Sequence, residues 1–87
     1  MNLPSPLSID TLLRDLFEAM ALFGRNKSKY PFDLGYHDSR WWVTVELNTS
    51  LATIDFETKD ESPTTALQDA IARVRREARI RGAKAAA

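Results

Sequence analysis

The chain predicts an α+β fold of order α-β-β-β-α, a three-stranded antiparallel sheet with two helices packed on one face. Three observations carry this expectation. Residues 40–47 alternate strictly, with Trp41, Val43, Val45 and Leu47 on one side and Arg40, Trp42, Thr44 and Glu46 on the other, the period-2 pattern of a half-buried strand. A second alternation follows a short polar loop, Ala52, Ile54 and Phe56 against Thr53, Asp55 and Glu57. Apolar stripes of helical period flank both, and a sheet with one apolar face buries it against such helices.

Residues 1–7, with Pro4 and Pro6, read as an extended lead-in. Ser8 is an N-cap candidate, with Asp10 in the first turn where the helix dipole favours a carboxylate. Leu7 and Leu12 have the spacing of a hydrophobic staple. Ile9, Leu12, Leu13, Leu16, Phe17, Met20 and Phe23 then follow helical spacing, with Asp10, Arg14, Asp15 and Glu18 opposite. Gly24 suits the position just past the helix end, so the first helix is expected over 9–23. A basic loop, Arg25 to Lys29, leads to Tyr30, Phe32, Leu34 and Tyr36 alternating with Pro31, Asp33, Gly35 and His37. Proline and glycine in that run make it an edge strand. His37, Asp38 and Ser39 read as the turn into the central strand.

A four-residue loop over 48–51 pairs Val45 with Ile54 and Val43 with Phe56. It sets Arg40 against Lys59, Trp42 against Glu57, Thr44 against Asp55, and Glu46 against Thr53 on the outer face. A slip of one residue would turn Ile54 and Phe56 to solvent, so the parity is the firm part of this pairing. Lys59, Asp60 and Glu61 form a polar connection. Ser62-Pro63 is a cap followed by proline at the first helical position. Leu67, Ala70, Ile71, Val74 and Ala78 form a stripe, and Asp69, Arg73, Glu77 and Arg81 form i,i+4 pairs. Gly82 is expected to end this helix, and 83–87 to fray. The inner sheet face is expected to comprise Phe32, Tyr36, Trp41, Val43, Val45, Ile54 and Phe56, joined in the core by Tyr30, Phe17 and Phe23.

Eighty-seven residues make one domain, with its ordered core expected over 8–82. The chain has no cysteine, which excludes disulfides and thiolate chemistry. No apolar run approaches the roughly 18 residues of a membrane span. No basic segment precedes an apolar one at the N-terminus, so a cytoplasmic location is expected. Net charge is zero but unevenly placed. Residues 33–61 carry 2 basic and 7 acidic groups, and residues 72–87 carry 6 basic and 1 acidic. The sheet is therefore acidic and the last helix basic, an asymmetry that shapes partner choice.

Two surfaces are candidates for binding. Asp33, Glu46, Asp55 and Glu57 share the outer sheet face with Trp42, an acidic platform with one aromatic anchor, suited to a basic protein surface or to imitating nucleic acid toward an enzyme that handles it. The plain alternative is a solvated face on which Trp42 covers its neighbours. Arg75, Arg76 and Arg79 lie away from the apolar stripe of the last helix and, with Arg25, Lys27 and Lys29, could contact phosphates. Their plain alternative is a solvated helix face whose cations suit the C-terminal dipole. His37 is the only histidine, and no partner for it makes a recognisable nucleophile–base pair. No cofactor and no metal is expected, and Ile80 falls off the stripe as a weak contact for a partner or a second copy.

The element order over about 8–82, the aromatic strand 30–36, the turn at His37, the strand 41–47 and the alanine-rich closing helix resemble the double-stranded-RNA-binding domain. That family holds phosphates with a lysine cluster at the start of its last helix, where this chain has Ser62, Pro63, Thr64 and Thr65 after Asp60 and Glu61. A tryptophan-valine strand, a short hairpin and the run Ser62 to Ile71 also resemble the closing half of small accessory proteins of phages and mobile elements, the anti-CRISPR proteins among them. That resemblance implies a non-enzymatic protein acting by protein–protein contact, as an inhibitor of a host nucleic-acid-targeting defence enzyme. The alternatives are a nucleic-acid-binding module using the arginine-rich helix, and a self-assembling accessory protein in which the acidic face of one copy meets the basic helix of another in a homodimer or larger assembly.

Overall fold

A computed structural model of the chain describes residues 8–23, 31–48 and 53–80. Its elements run α1 (Ile9–Met20), a short 3-10 turn (Ala21–Phe23), β1 (Phe32–His37), β2 (Arg40–Asn48), β3 (Thr53–Asp60) and α2 (Pro63–Ile80). The strands form one antiparallel sheet in the order β1-β2-β3. The fold is therefore the expected α-β-β-β-α. None of the described helices is long and apolar enough to cross a membrane.

Ser8 caps α1, its hydroxyl accepting from the Thr11 backbone N–H at 3.1 Å. The helix tightens to 3-10 geometry over its last turn and so ends as an α-helix three residues before the expected limit. Leu7, Gly24, Tyr30 and Gly82 lie outside the described residues. Ser62 caps α2, with its Oγ accepting from the Thr65 N–H at 3.4 Å and its own N–H donating to Asp60 Oδ2 at 2.9 Å. Pro63 occupies the first helical position, where no N–H is needed.

Val43, Val45 and Leu47 are sealed on the inner face of β2. Above them lie Ala66, Leu67, Ala70, Ile71 and Val74 of α2, and Leu12, Leu16, Ala19 and Met20 of α1 complete the core. Burial of each large aliphatic side chain contributes about 1.5–3 kcal/mol. α2 lies on β2 and β3, whereas α1 docks chiefly on α2. Thr58 is a polar residue on the inner face, and its Oγ1 donates to the Ala66 carbonyl at 2.7 Å, tying β3 to the first turn of α2. On α2, Arg73 Nε donates to the buried Glu77 carboxylate at 3.1 Å, and the Arg73 guanidinium lies 4.9 Å from the Phe56 ring centre.

The structure corrects three expectations. The β2–β3 register is shifted by two: Val45 pairs with Phe56 and Leu47 with Ile54, and the last pair is Asn48 with Thr53. Parity is unchanged, because a two-residue shift keeps every side chain on its face. β1 begins at Phe32, its pairing runs unbroken to His37, and the turn consists of Asp38 and Ser39 alone. Two aromatic residues expected in the core are open to solvent, Phe17 at 46% and Tyr36 at 58% exposure. The stripe on α1 is wider than the surface α2 offers it, so Phe17 falls at the flank, in a T-shaped contact with Phe32 at 5.2 Å between ring centres. Tyr36 stands at the hairpin end of β1, leaning on Trp41 at 5.1 Å.

Asp38 and Ser39 have φ of 55° and 60°, the left-handed pair of a two-residue hairpin turn that matches strand twist and favours Asn-Gly. Neither residue is glycine, so each carries a steric penalty of about 1 kcal/mol. Two stability changes follow. Thr58→Val removes the Ala66 bond at constant shape and is expected to lower stability by about 1 kcal/mol, a Tm drop of about 4–8 °C for a domain of this size. Ser39→Gly relieves the second turn position and is expected to raise Tm by about 2–5 °C after allowing for the freer unfolded chain. Thermal unfolding followed by circular dichroism checks both, and a Tm unmoved in either variant refutes the corresponding contact or strain.

Candidate functional site

The outer face of the sheet is built in rows set by register. His37 stands opposite Arg40; Gly35, Trp42 and Lys59 form the next row; Asp33, Thr44 and Glu57 follow; then Glu46 pairs with Asp55 and Asn48 with Thr53. Arg40, Asp33, Thr44, Asp55, Glu57 and Lys59 are exposed, while Trp42 and Glu46 are half-buried. The two-residue register shift changes the company of Trp42. Its cross-strand neighbour is Lys59 and not Glu57, which lies one row further along beside Thr44.

Trp42 is held from both neighbouring strands. Gly35 presents no side chain opposite it, and the His37 ring stacks on the indole with centres 4.5 Å apart and planes 6° from parallel. The indole Nε1 donates to the His37 carbonyl at 2.9 Å. Lys59 Nζ lies 4.9 Å from the ring centre, within cation–π range. His37 Nδ1 is 3.3 Å from Asp38 Oδ2 beside the strained turn. These contacts oppose the turn penalty and make the indole a fixed element instead of a free anchor.

The face therefore has two ends. His37, Arg40, Trp42 and Lys59 make an aromatic, basic end at the β1–β2 hairpin. Asp33, Glu46, Asp55 and Glu57 make an acidic ledge beyond Thr44. On the ledge Glu46 Oε1 is shielded from solvent with no hydrogen-bond partner among the described residues. A buried carboxylate oxygen without a donor carries the desolvation penalty of a charged group. The Glu46 backbone N–H, by contrast, is satisfied by the Pro31 carbonyl at 2.8 Å.

All five residues expected on the acidic platform stand on one face, with Trp42 adjoining the carboxylates instead of lying among them. Sequence reasoning placed Arg40 and Lys59 on this face but opposite each other, and it read His37 as part of the turn; the structure instead sets Lys59 beside Trp42 and His37 opposite Arg40. Their alternation gave the side, but the row followed from where along the chain the β2–β3 connection falls, which the pattern left free.

The arginines of α2 are less convergent. Arg75 borders the groove between the helices beside Leu12, Asp15 and Gln68. Arg76 and Arg79 border another beside Thr58, Asp69 and Arg73. Arg25, Lys27 and Lys29 lie outside the described residues. Ile80 is 69% exposed at the end of α2, off the apolar stripe as expected. In the helix layer, Leu13, Phe17 and Ala21 line a shallow depression rimmed by Asp10, Arg14 and Glu18.

No protein-family model, curated protein or solved structure matches the chain.

Proposed function

We propose that this chain is a non-enzymatic binding protein that acts in the cytoplasm by protein–protein contact through the outer face of its sheet. The partner surface is basic and meets the acidic ledge, with Trp42 as the adjoining aromatic contact. The resemblance to small phage and mobile-element proteins makes a host nucleic-acid-targeting enzyme the partner class to test first, since such enzymes present basic grooves that an array of carboxylates can occupy.

The observation that carries this reading is Glu46. Its Oε1 lacks a donor among the described residues, and Asp33, Asp55 and Glu57 share the ledge with it. A terminal carboxylate turns about its last bond, so a guanidinium or ammonium arriving at the face reaches both oxygens and supplies the missing donors. A β-strand position occupied at a cost to the fold fits a group used for contact with something else.

The reading predicts opposite effects on stability and capture. Glu46→Thr replaces a carboxylate whose Oε1 has no partner among the described residues with a good strand former, and it is expected to stabilise the chain by about 1 kcal/mol. Glu46→Lys and Asp55→Lys are expected to reduce capture of the partner from nuclease-treated host lysate at least about tenfold. Arg75→Ala with Arg76→Ala and Arg79→Ala is expected to leave capture unchanged. Trp42→Ala is expected to cost about 2 kcal/mol of binding. Loss of capture in the triple arginine variant, together with sensitivity to nuclease and a steep fall with salt, would replace this reading with nucleic-acid binding through α2. A Glu46→Thr variant less stable than the parent would show that the carboxylate serves the fold.

A further inference from the structure

We infer that the outer face of the sheet is self-complementary and that two copies of the chain associate through it face to face. The argument comes from the order of charges along the strands. From the hairpin end the rows read Arg40 with His37, then Trp42 with Lys59, then Thr44 with Glu57 and Asp33, then Glu46 with Asp55. Cations occupy the first two rows and carboxylates the last two. Successive outward rows are about 6.8 Å apart along the strand.

A two-fold axis lying between the two faces, at right angles to the strands and passing between the Trp42 and Thr44 rows, turns this order back on itself. It sets β2 on β2 and β3 on β3 with their directions reversed. Arg40 of one copy then stands over Glu46 of the other, and Lys59 over Glu57. Trp42 lies over Thr44, and Asp33 over Gly35, where there is no side chain to oppose it. Arg40 arriving over Glu46 stands one strand, about 4.8 Å, from Asp55. Each contact is made twice, as a two-fold interface requires. Among the described residues Arg40 has no ion-pair partner and Glu46 has a carboxylate oxygen without a donor, so the operation joins two groups that the described residues leave unmatched. Within one chain they are six residues apart on a strand, about 20 Å, and cannot meet.

Three strands about 4.8 Å apart, of six, nine and eight residues, give a face roughly 14 Å wide and about 26 Å long. Two such faces cover on the order of 700 Å² in total, below the size of a stable interface, so the association is weak and depends on concentration. The contact is largely ionic and partly open at its rim, so it weakens as salt screens the charges. The inference shares the acidic ledge with the partner proposed above, and the pair would hold that ledge closed until the partner competes for it.

Sedimentation of the purified full chain tests self-association without any partner, so its outcome is separable from the capture experiment. Over about 1 to 300 μM, the parent is expected to shift from monomer to dimer. The shift is expected to weaken at least about fivefold in dissociation constant between about 50 and 500 mM salt. Arg40→Glu and Glu46→Arg, each confirmed folded by circular dichroism, are expected to weaken the dimer at least about tenfold. Mixing the two in equal amounts is expected to restore it, because each copy then offers the charge the other lacks. The double variant is expected to restore it as well. Lys59→Glu with Glu57→Lys repeats the exchange on β3 should either β2 variant fail to fold. A parent that stays monomeric at the highest concentration, or single variants that mixing does not rescue, overturns the inference.

Discussion

Val43, Val45 and Leu47 are sealed in the middle strand of the sheet, and the remaining elements take their places from that row. Because side chains alternate along a strand, sealing one face commits Arg40, Trp42, Thr44 and Glu46 to the other. The helices gather on the sealed side, where Thr58 binds the first turn of α2 through the Ala66 carbonyl. The solvent side is then left to charge, and the order of that charge is decided by how β3 lies along β2.

The fold was legible because each element repeats its signal. Alternation, helical stripes, a serine cap on each helix and proline after Ser62 all point to the same order of elements. The face of every β2 and β3 residue was legible for the same reason. Their rows were not, since apolar alternation is unchanged by a shift of two residues, and the last pair, Asn48 with Thr53, moves each end of the expected 48–51 loop by a single position. That small freedom moved Lys59 into the place expected for Glu57 and divided an apparently uniform acidic platform into two ends. Phe17 and Tyr36 were misplaced for another reason. Helical or strand period identifies a face, but the partner's extent decides how much of it is covered, and α1 rests on α2 more than on the sheet.

The hairpin end of the outer face illustrates how strain and contact are balanced. Two residues with positive φ, neither of them glycine, are held where the His37 ring stacks on Trp42 and the indole donates to the His37 carbonyl. The same contacts that oppose the turn penalty hold the indole in one orientation. An aromatic group so constrained loses little rotational freedom when covered, which favours recognition by a fixed shape over recognition by adjustment. At the other end of the face, Glu46 reverses this balance, with a shielded carboxylate oxygen that has no hydrogen-bond partner among the described residues.

The way α1 is attached bears on the order in which the molecule assembles. From β1 through α2, each strand pairs with its neighbour in the chain and α2 folds directly back on β3 and β2. These are short closures, which form early and quickly because little chain must be ordered to make each one. α1 instead waits for a surface created near the opposite end of the sequence, its Leu12 and Leu16 entering a core whose other wall is Leu67 and Val74. Contact order therefore favours the meander and α2 as the part that forms first. The N-terminal helix completes the core by covering α2.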